Sequence, residues 1–363
     1  MSNNNPFIML QHFHSVSNPN SMHGLYPYRG KISALDAQSI ISQLPQKGVL
    51  LDPFCGSGTI VYEAQKHGLQ AIGVDNNPLA IQVAKAKVYK NNKLCLENCM
   101  QLIELARKDY ERGKYSSMPS DPLRSFHAQT ANQIMCMTNY FEEMDDYLRG
   151  VFYGSIALAA RGCNGYKWTS TTVGKNIEPK VYINFFDKML SKAKKHAKYF
   201  ASADSLDARI ISGDSRFLSD YIEPGSVDFV FTSPPYFDGL DYTAYYGKLI
   251  YEIFGIDRVE IKQKLIQYVD SYENDMRAVF TELDKVTNNS ALMIFVVGDK
   301  KIKKEVINGG SFFNKIKPAS YIMERGYTSS SSQVFDVLNN THRKEQIVVW
   351  DKSNGEVLKH DRL

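Results

Sequence analysis

The sequence predicts an α/β fold with a mostly parallel, doubly wound sheet, and two observations support this prediction. Short apolar or β-branched segments alternate with amphipathic helical segments along most of the chain, which is typical of a parallel sheet covered by helices on both faces. More than 100 residues interrupt the alternation, whereas a connection between a helix and the next strand normally needs only a handful. We therefore expect a large, mainly helical insertion.

Six strands and three helices account for the alternation. The strands are short and rich in apolar or β-branched residues, and they cover Val49–Asp52, Ala71–Asp75, Ala208–Ser212, Val227–Thr232, Leu292–Val297 and Gln346–Trp350. The helices cover Thr59–His67, Leu79–Lys87 and Ile261–Val286. The chain thus divides into residues 1–91 with the first half of the sheet domain, 92–207 with the insertion, and 208–363 with the second half.

Composition excludes several classes of protein. Of the 363 residues, 43% are hydrophobic and 23% are charged, as in globular rather than disordered or fibrous proteins. No apolar stretch approaches the roughly 20 residues of a membrane span, and the N-terminus has no signal-peptide pattern. We therefore expect a cytoplasmic protein without a membrane span. Five cysteines without a C-x-x-C pair predict reduced thiols, and no histidine spacing indicates a metal site.

Positive charge is concentrated in and around the insertion. The formal net charge of the chain is +4, yet residues 85–200 contain 19 Lys and Arg against 11 Asp and Glu. An excess of this kind attracts polyanions such as nucleic acids. Two interpretations stay open at this point: a surface for nucleic-acid recognition, or an ordinary solvated helical surface.

A glycine-spaced turn, Asp52-Pro53-Phe54-Cys55-Gly56-Ser57-Gly58-Thr59, follows the first predicted strand. Its glycines let the backbone approach a ligand at the carboxyl end of a parallel strand. A dinucleotide fingerprint would need a third glycine where Val61 stands, and a phosphate-binding loop would need Gly-Lys-Ser/Thr, which the chain lacks. Asp75, at the end of the second strand, can accept hydrogen bonds from both hydroxyls of a ribose. The pattern favours a nucleoside without a pyrophosphate, or an ordinary tight turn.

Two consecutive prolines follow the fourth predicted strand, in Thr232-Ser233-Pro234-Pro235-Tyr236. They remove two amide donors, so nearby carbonyl groups have no immediate backbone partner. The Ser233 hydroxyl and the Pro234 carbonyl can then accept the two hydrogens of an exocyclic base amine, which restores the lone pair on its nitrogen. Tyr236 offers a face on which an extruded base can stack. The alternative is a proline-terminated strand with a packed tyrosine.

Together these motifs resemble those of a known family. Residues 52–59 resemble the S-adenosylmethionine-binding motif of amino-group DNA methyltransferases, and residues 232–236 resemble their catalytic motif. The segment His23–Lys31 is similar to the one that covers the cofactor in that family, and Gly213-Asp214-Ser215 matches the position that contacts the cofactor's adenine. The resemblance leaves the insertion unmatched. It implies a seven-stranded, mostly parallel, Rossmann-like methyltransferase sheet.

The resemblance also implies roles for individual residues, without a metal. The resemblance implies that Ser233, Pro234, Pro235 and Tyr236 are the catalytic residues. Contacts with S-adenosylmethionine fall on Tyr26, Pro27, Asp52, Pro53, Phe54, Gly56, Gly58, Thr59, Asp75, Asn76, Asp214 and Ser215. Six residues after the catalytic motif are expected to contact the flipped base or the strand that it leaves, with core packing as the alternative for Tyr245 and Tyr246: Phe237, Asp238, Asp241, Tyr242, Tyr245 and Tyr246.

The first residue of the catalytic motif bears on the target base. In the family that the motifs resemble, serine there is associated with cytosine-N4 enzymes and Asp or Asn with adenine-N6 enzymes, so Ser233 favours cytosine. The expected activity is site-specific methylation of the cytosine N4 amine in duplex DNA after base flipping, in a restriction-modification or defence context. Methylation at carbon 5 is excluded, because no Pro-Cys dipeptide supplies a nucleophile.

Three alternatives stay open: adenine-N6 methylation of DNA, methylation of an RNA base, and a non-catalytic DNA-recognition component of a defence assembly. Double-stranded DNA is the expected partner, and a cognate restriction endonuclease is a candidate partner. The sequence does not distinguish a monomer from a dimer.

Overall fold

The computed structural model describes residues 12–13, 21–28, 32–90, 94–166, 181–235, 241–244, 246–302, 305–327 and 345–353. The strands are β1 (His12–Phe13), β2 (Val49–Asp52), β3 (Gln70–Asp75), β4 (Ala208–Ser212), β5 (Val227–Thr232), β6 (Thr287–Gly298), β7 (Lys300–Ile302), β8 (Glu305–Ile307), β9 (Tyr321–Tyr327) and β10 (Glu345–Asp351). The helices are α1 (Ala34–Ile41), α2 (Thr59–His67), α3 (Pro78–Lys87), α4 (Cys95–Glu111), α5 (Ser120–Leu123), α6 (Ala128–Thr138), α7 (Asp146–Cys163), α8 (Phe185–His196), α9 (Tyr246–Ile253), α10 (Arg258–Lys264), α11 (Val269–Val286) and α12 (Gly309–Ile316).

Eight strands form one sheet in the order β1-β9-β10-β6-β5-β2-β3-β4. Strands β4, β3, β2, β5 and β6 are all parallel to one another, and β10 runs antiparallel between β6 and β9. The predicted seven-stranded, mostly parallel sheet is therefore confirmed, with the two-residue β1 added beside β9. Because parallel strands end at the same edge, the carboxyl ends of β2, β3, β4 and β5 meet there.

All six predicted strands are present. The main sheet also contains two strands that were not predicted, the two-residue β1 and the longer β9. The sequence of β9 includes Glu324 and Gly326, residue types that are uncommon in strands. It forms because β10 supplies an antiparallel partner along most of its length. Pairing with a neighbour thus outweighs the weak strand preference of the segment.

The predicted helix over Ile261–Val286 was wrong in one respect, because it is two helices. Helix α10 ends at Lys264, and Leu265 is extended, with ψ 141°. The carbonyl of Lys262 at that end accepts hydrogen bonds from the side chains of Gln267 and Tyr268, at 3.2 and 3.1 Å. The Leu265 amide also donates to this carbonyl, at 3.3 Å, so the two side chains add to a backbone hydrogen bond where the helix ends.

Helices cover both faces of the sheet with separate hydrophobic clusters. On one face α11 and α12 contribute Val279, Leu283 and Phe313. On the other face α1, α2 and α3 share a single cluster with the helices of the insertion, which contributes Tyr147 and Phe152. The insertion is mainly helical, as predicted, and it is joined to the sheet domain through this common core.

Close packing of α7 on α3 shows how the insertion is attached. Gly150 of α7 lies so near α3 that a Cβ at that position would overlap the Cβ of Ala86. One turn later, a Cβ at Gly154 would overlap the carbonyl oxygen of Leu25 and the side chain of Lys192. Glycine is needed at both positions because no side chain fits.

All five cysteines are free thiols and are buried. Within the described ranges, no helix is both long and apolar enough to cross a membrane. The cytoplasmic location stays a prediction.

The contact between α7 and α3 gives a stability test. Gly150→Val should lower the free energy of unfolding by about 1–3 kcal/mol, because the added atoms must displace α3. Ser191→Val, at an exposed position of α8, is the matched control and should change it by less than about 0.5 kcal/mol. Chemical denaturation measures both. Equal effects of the two substitutions would contradict the packing of the insertion against the sheet domain.

Candidate functional site

A cleft opens where the carboxyl ends of β2, β3, β4 and β5 meet, with about 610 Å³ of empty space. It is lined by Tyr28, Pro53, Phe54, Gly56, Asp75, Asn76, Asn77, Gly213, Asp214, Ser215, Ser233, Pro235, Tyr242, Leu265 and Ile266. The glycine loop and the predicted catalytic motif therefore lie in one site. This follows from the direct pairing of β2 with β5, since neighbouring parallel strands deliver the residues after them to the same edge.

The two glycines of the loop after β2 have different roles. Gly56 lines the cleft with φ +48°, and the nearest atom to a Cβ there would belong to the Tyr28 ring, at 3.4 Å. The backbone at Gly56 is thus open to a ligand. Gly58, with φ +72°, faces α3 instead, where a Cβ would lie 2.8 Å from the Cβ of Ala84. Gly58 allows α3 to pack against the start of α2, and it does not line the cleft.

A buried lysine supports this loop from α3. Lys87 is 0% exposed, and its Nζ donates to the hydroxyl of Ser57 at 3.1 Å and to that of Thr59 at 3.4 Å. Thr59, for which the resemblance implied a cofactor contact, is buried and outside the cleft lining. Its hydroxyl instead helps to hold a charge that burial would otherwise make costly.

Asp75 reaches the cleft from the end of β3. The amide of Gly56 donates to its Oδ2 and the amide of Asn77 to its Oδ1, both at 2.8 Å. Burial raises the pKa of Asp75 to about 6, although these backbone bonds oppose the shift. Each carboxylate oxygen keeps a further lone pair. The carboxylate can therefore hold the glycine loop and still accept hydrogen bonds from a ligand.

The loop after β4 brings Asp214 and Ser215 to the same cleft. The Ser215 hydroxyl donates to the carbonyl of Pro53, which ties this loop to the glycine loop. Arg216 donates to both oxygens of Asp214, from Nε to Oδ1 at 3.0 Å and from Nη2 to Oδ2 at 2.6 Å. Its Nη1 also reaches Asp275 of α11, at 2.8 Å. The Asp214 carboxylate is thus held in a fixed direction at the cleft wall.

The predicted catalytic motif closes the other side of the cleft. Ser233 and Pro235 line it, and Pro234 is buried beside them. Within the described part of the chain the Ser233 hydroxyl makes no hydrogen bond, whereas the carbonyl of Pro235 accepts one from the Tyr272 hydroxyl at 2.6 Å. Tyr236 lies outside the described residues.

The residues after the motif are described only in part. Tyr242 lines the cleft, and Asp241 accepts hydrogen bonds from Lys262 and from its neighbour Thr243. Phe237, Asp238 and Tyr245 lie outside the described residues, as does the side chain of Tyr246. The expectation of contact with a base stays a prediction for all of them.

One buried hydrogen bond joins the two motifs directly. The hydroxyl of Thr232, at the end of β5, donates to Oδ1 of Asp52 at 2.7 Å, and the amide of Phe54 donates to the same oxygen at 3.1 Å. Asp52 is 2% exposed and does not line the cleft. Burial raises the pKa of Asp52 to about 7, and both hydrogen bonds oppose the shift. The structure therefore places Asp52 behind the ligand-facing residues.

The N-terminal segment reaches the cleft through Tyr28. Tyr26 is buried, and neither it nor Pro27 lines the cleft. Burial raises the pKa of the Tyr28 hydroxyl, and the nearby Asp75 carboxylate raises it further. Upstream, Nε2 of His23 lies 2.6 Å from Oε1 of Glu63 in α2, which anchors the segment to the sheet domain.

Three cleft residues carried no assignment from the sequence, namely Asn77, Leu265 and Ile266, and Tyr28 was assigned only as part of the segment His23–Lys31. The side-chain Oδ1 of Asn77 caps α3 by accepting hydrogen bonds from the amides of Leu79 and Ala80, a role that Asn before Pro indicates. The two apolar residues gave no such signal, because apolar residues at helical spacing normally predict core burial.

The sequence was compared with families and characterised proteins. The D12 class N6 adenine-specific DNA methyltransferases match residues 30–291, more than two thirds of the chain. The chain is 24% identical over 222 residues to the type II methyltransferase M.MvaI of Kocuria varians, covering 55% of this chain and 49% of that protein. It is 31% identical over 70 residues to the type II methyltransferase M.MjaII of Methanocaldococcus jannaschii, covering 19% of this chain and 13% of that protein. The chain thus spans half or less of each of these curated relatives.

Comparison with solved structures gave alignments over most of the chain. A SAM-dependent methyltransferase from Methanosarcina mazei aligns with 86% of this chain and 95% of its own, with a TM-score of 0.35 and 9% identity. The rRNA methyltransferase aviRa from Streptomyces viridochromogenes aligns with 97% and 92%, with a TM-score of 0.33 and 15% identity. The fold assignment rests on the strand order of the chain itself.

The raised pKa of Asp52 gives a test that depends on pH. Because its pKa is about 7 in the folded protein and 3.8 as the ordinary value, the folded protein holds a proton that the unfolded chain loses above about pH 4. The stability that protonated Asp52 contributes is fully present below about pH 4 and is lost as the pH rises through 7. Asp52→Asn keeps the acceptor for Thr232, and its stability relative to the wild type should rise with pH over this range, by about 4 kcal/mol in total.

Thr232→Val is the companion variant for that test. It removes a hydrogen bond that lowers the pKa of Asp52, so it should lose most stability at high pH, opposite to Asp52→Asn. Urea denaturation between pH 4 and 8 measures both. A difference between Asp52→Asn and wild type that does not change with pH would contradict the assigned state of Asp52.

Proposed function

Because the chain belongs to the D12 class N6 adenine-specific DNA methyltransferase family, we propose that it transfers the methyl group of S-adenosylmethionine to an exocyclic amino group of a base in DNA. One observation carries this proposal: Gly56 and Asp75 share a single cleft with Ser233. S-adenosylmethionine, the cofactor expected from the sequence, is the methyl donor of this family, and it supplies an electrophilic methyl group on a positively charged sulfur.

The cleft residues fit that cofactor. Gly56 offers backbone without a side chain to obstruct a ligand, and Asp75 keeps acceptor capacity for ribose hydroxyls beside it. Asp214 presents a carboxylate that can accept a hydrogen bond from an adenine amine, held by Arg216. Phe54, Leu265 and Ile266 are not polar, so they suit the faces of an aromatic ring. The loops after β2, β3 and β4 would together hold the nucleoside.

Ser233 and Pro234 would act on the target base. The Ser233 hydroxyl, which lines the cleft, and the Pro234 carbonyl are the proposed acceptors of the two amine hydrogens. Gripping these hydrogens restores the nitrogen lone pair and directs it across the cleft. Most of the rate would come from holding the amine at attack distance. The base must first leave the duplex, because stacking hides its amine from the cleft. No covalent intermediate with the protein is needed.

Two bases are candidates, and a different observation favours each. The description of the family favours the N6 amine of adenine. Ser233 at the first position of the catalytic motif favours the N4 amine of cytosine, since serine there is associated with cytosine enzymes. Both amines are exocyclic and planar, so the same pair of acceptors serves either one, and the shape of the base pocket decides between them.

The insertion at 92–207 is the proposed DNA-binding part. Its helix α8 and the turn after it carry five lysines. Lys192 is buried, and among the described residues none of the other four forms an ion pair: Lys188, Lys194, Lys195 and Lys198. Unneutralised positive charge suits a phosphate backbone. A restriction-modification setting with a cognate endonuclease is part of the same proposal, supported by the type II methyltransferase relatives.

The choice of base is tested by nucleoside mass spectrometry. DNA from a host without modification enzymes, expressing the protein, should contain N6-methyladenine or N4-methylcytosine, and single-molecule sequencing should place it at one short sequence. Methylated nucleosides in RNA alone would favour the RNA alternative. Absence of both from DNA and RNA, with cofactor bound, would favour a non-catalytic recognition component.

Ser233→Ala tests the catalytic side of the cleft. Loss of one acceptor for the amine should lower kcat about 100-fold, while the Kd for S-adenosylmethionine stays within about twofold of wild type. Ser226→Ala, whose hydroxyl donates to the Glu223 carbonyl in an exposed turn, is the control and should leave both unchanged. Steady-state kinetics and calorimetry measure the two quantities. Comparable losses in both would contradict the role given to Ser233.

The pKa of Asp75 gives a pH test of the cofactor side. Because burial raises it to about 6, the carboxylate becomes protonated as the pH falls below that value and accepts fewer hydrogen bonds. Cofactor affinity should therefore decrease from pH 7 to pH 5. Asp75→Asn should bind about tenfold more weakly at pH 7 and should lack this pH dependence. Calorimetric titration checks both, and a wild-type affinity that rises at low pH would argue against Asp75 as a ribose acceptor.

A further inference from the structure

We propose that one face of α11 holds the two halves of the cleft in register: Tyr272 positions the catalytic turn, and Asp275 positions the cofactor loop after β4. This inference rests on the proposed function and assigns roles that the motifs do not contain. Residues three apart on a helix lie on the same face. Tyr272 and Asp275 are such a pair, and each contacts a different wall of the cleft.

Tyr272 supports the catalytic turn from behind. Its side chain is 2% exposed, and its hydroxyl donates to the carbonyl of Pro235 at 2.6 Å. The two prolines of the turn carry no amide hydrogen, so the turn cannot be fixed by its own backbone donors at those positions. A side chain from another element must therefore hold it. Tyr272 is a positioning residue, because it acts on the amine only through the turn.

Asp275 supports the cofactor wall through Arg216. Its Oδ1 accepts from Arg216 Nη1 at 2.8 Å, and its Oδ2 accepts from the Ser271 hydroxyl at 2.8 Å. The other two guanidinium nitrogens of Arg216, Nε and Nη2, donate hydrogen bonds to Asp214. A planar guanidinium held at both ends fixes the direction of the Asp214 carboxylate more firmly than Asp214 alone could. The side chains of Asp275, Asp214 and Arg216 are 14%, 21% and 29% exposed, so solvent screens this arrangement in part.

The segment before α11 also contacts loops on both sides of the cleft. The Asn76 side chain donates to the Lys264 carbonyl at 2.9 Å, which links the loop after β3 to the end of α10. Lys262 pairs with Asp241, in the segment after the catalytic motif, at 3.1 Å. The break between α10 and α11 also supplies Leu265 and Ile266 to the cleft. Residues 258–275 therefore touch the loops on both sides of the site.

The two roles can be tested separately, because one substitution should affect kcat and the other the Kd for the cofactor. A general loss of stability would change both quantities together. Tyr272→Phe removes one hydroxyl and leaves the Pro235 carbonyl unsatisfied, so kcat should fall about tenfold with cofactor Kd within twofold. Asp275→Asn weakens the hold on Arg216, so the Kd for S-adenosylmethionine should rise about fivefold while kcat at saturating cofactor changes less than twofold. The KM for DNA should stay unchanged in both.

Matched controls are present in the same chain. Tyr147→Phe removes a buried hydroxyl that donates to the Ala193 carbonyl at 2.6 Å in the insertion. Asp284→Asn removes a charge from the far part of α11 that pairs with Lys317 and Lys352. Each control should lower the melting temperature about as much as its partner variant while leaving kcat and cofactor Kd unchanged.

Hydrogen exchange provides a readout that does not depend on methyl transfer. Peptides that cover residues 228–235 should exchange faster in Tyr272→Phe than in Tyr147→Phe, and peptides that cover residues 213–220 should exchange faster in Asp275→Asn than in Asp284→Asn. If the wild type methylates no DNA but exchange follows this pattern, the proposed function fails and the positioning role of α11 stands. If exchange is equal in variant and control, or if kcat and Kd shift together in both variants, the inference is overturned.

Discussion

The architecture of the site depends on the hydrogen bond between Thr232 and Asp52. Strands β2 and β5 are parallel neighbours, so their carboxyl ends lie about 5 Å apart, and the loops that follow them must diverge into two walls. The hydrogen bond from the Thr232 hydroxyl to the Asp52 carboxylate joins the two walls at the point where they separate. Because Asp52 is buried, this bond is shielded from water and cannot easily be exchanged for a solvent contact. The cleft opens directly beyond it.

Buried polar side chains behind the cleft hold its surface in place. Lys87 fixes the glycine loop through Ser57 and Thr59, and the pair of His23 and Glu63 anchors the segment that contains Tyr28. Burying such groups costs free energy unless each has partners, and the partners here belong to the loops around the site. The same contacts that satisfy buried charge therefore give the cleft a defined shape, which positioning a base amine for attack requires.

The sequence predicted the parts of the site that depend on local backbone chemistry. The glycine-spaced turn and the double-proline turn were recognisable because glycine and proline restrict the backbone in ways that a sequence displays, and the parallel strands before them brought both to one edge. The sequence could not distinguish Gly56, which faces the cleft, from Gly58, which faces Ala84. That distinction depends on the distance to α3, which is a tertiary property.

Contacts between distant segments explain the other differences. Tyr28 rather than Tyr26 reaches the cleft, because the buried Tyr26 belongs to the hydrophobic core. The stripe of apolar residues in α11 indicated a core helix, and its Tyr272 is indeed buried, yet the hydroxyl of that tyrosine donates to the Pro235 carbonyl of the double-proline turn. Hydrophobic periodicity reports which face of a helix is buried. It does not report which polar atom on that face meets a partner.

A crystal structure with bound S-adenosylhomocysteine, the product left by methyl transfer, tests the central claim most directly. The claim is that the paired ends of β2 and β5 form one cleft with a nucleoside wall and an amine wall. The ribose should lie against the Asp75 carboxylate beside Gly56, with the sulfur on the side that faces Ser233. Binding outside this cleft, or a sulfur directed away from Ser233, would contradict the account.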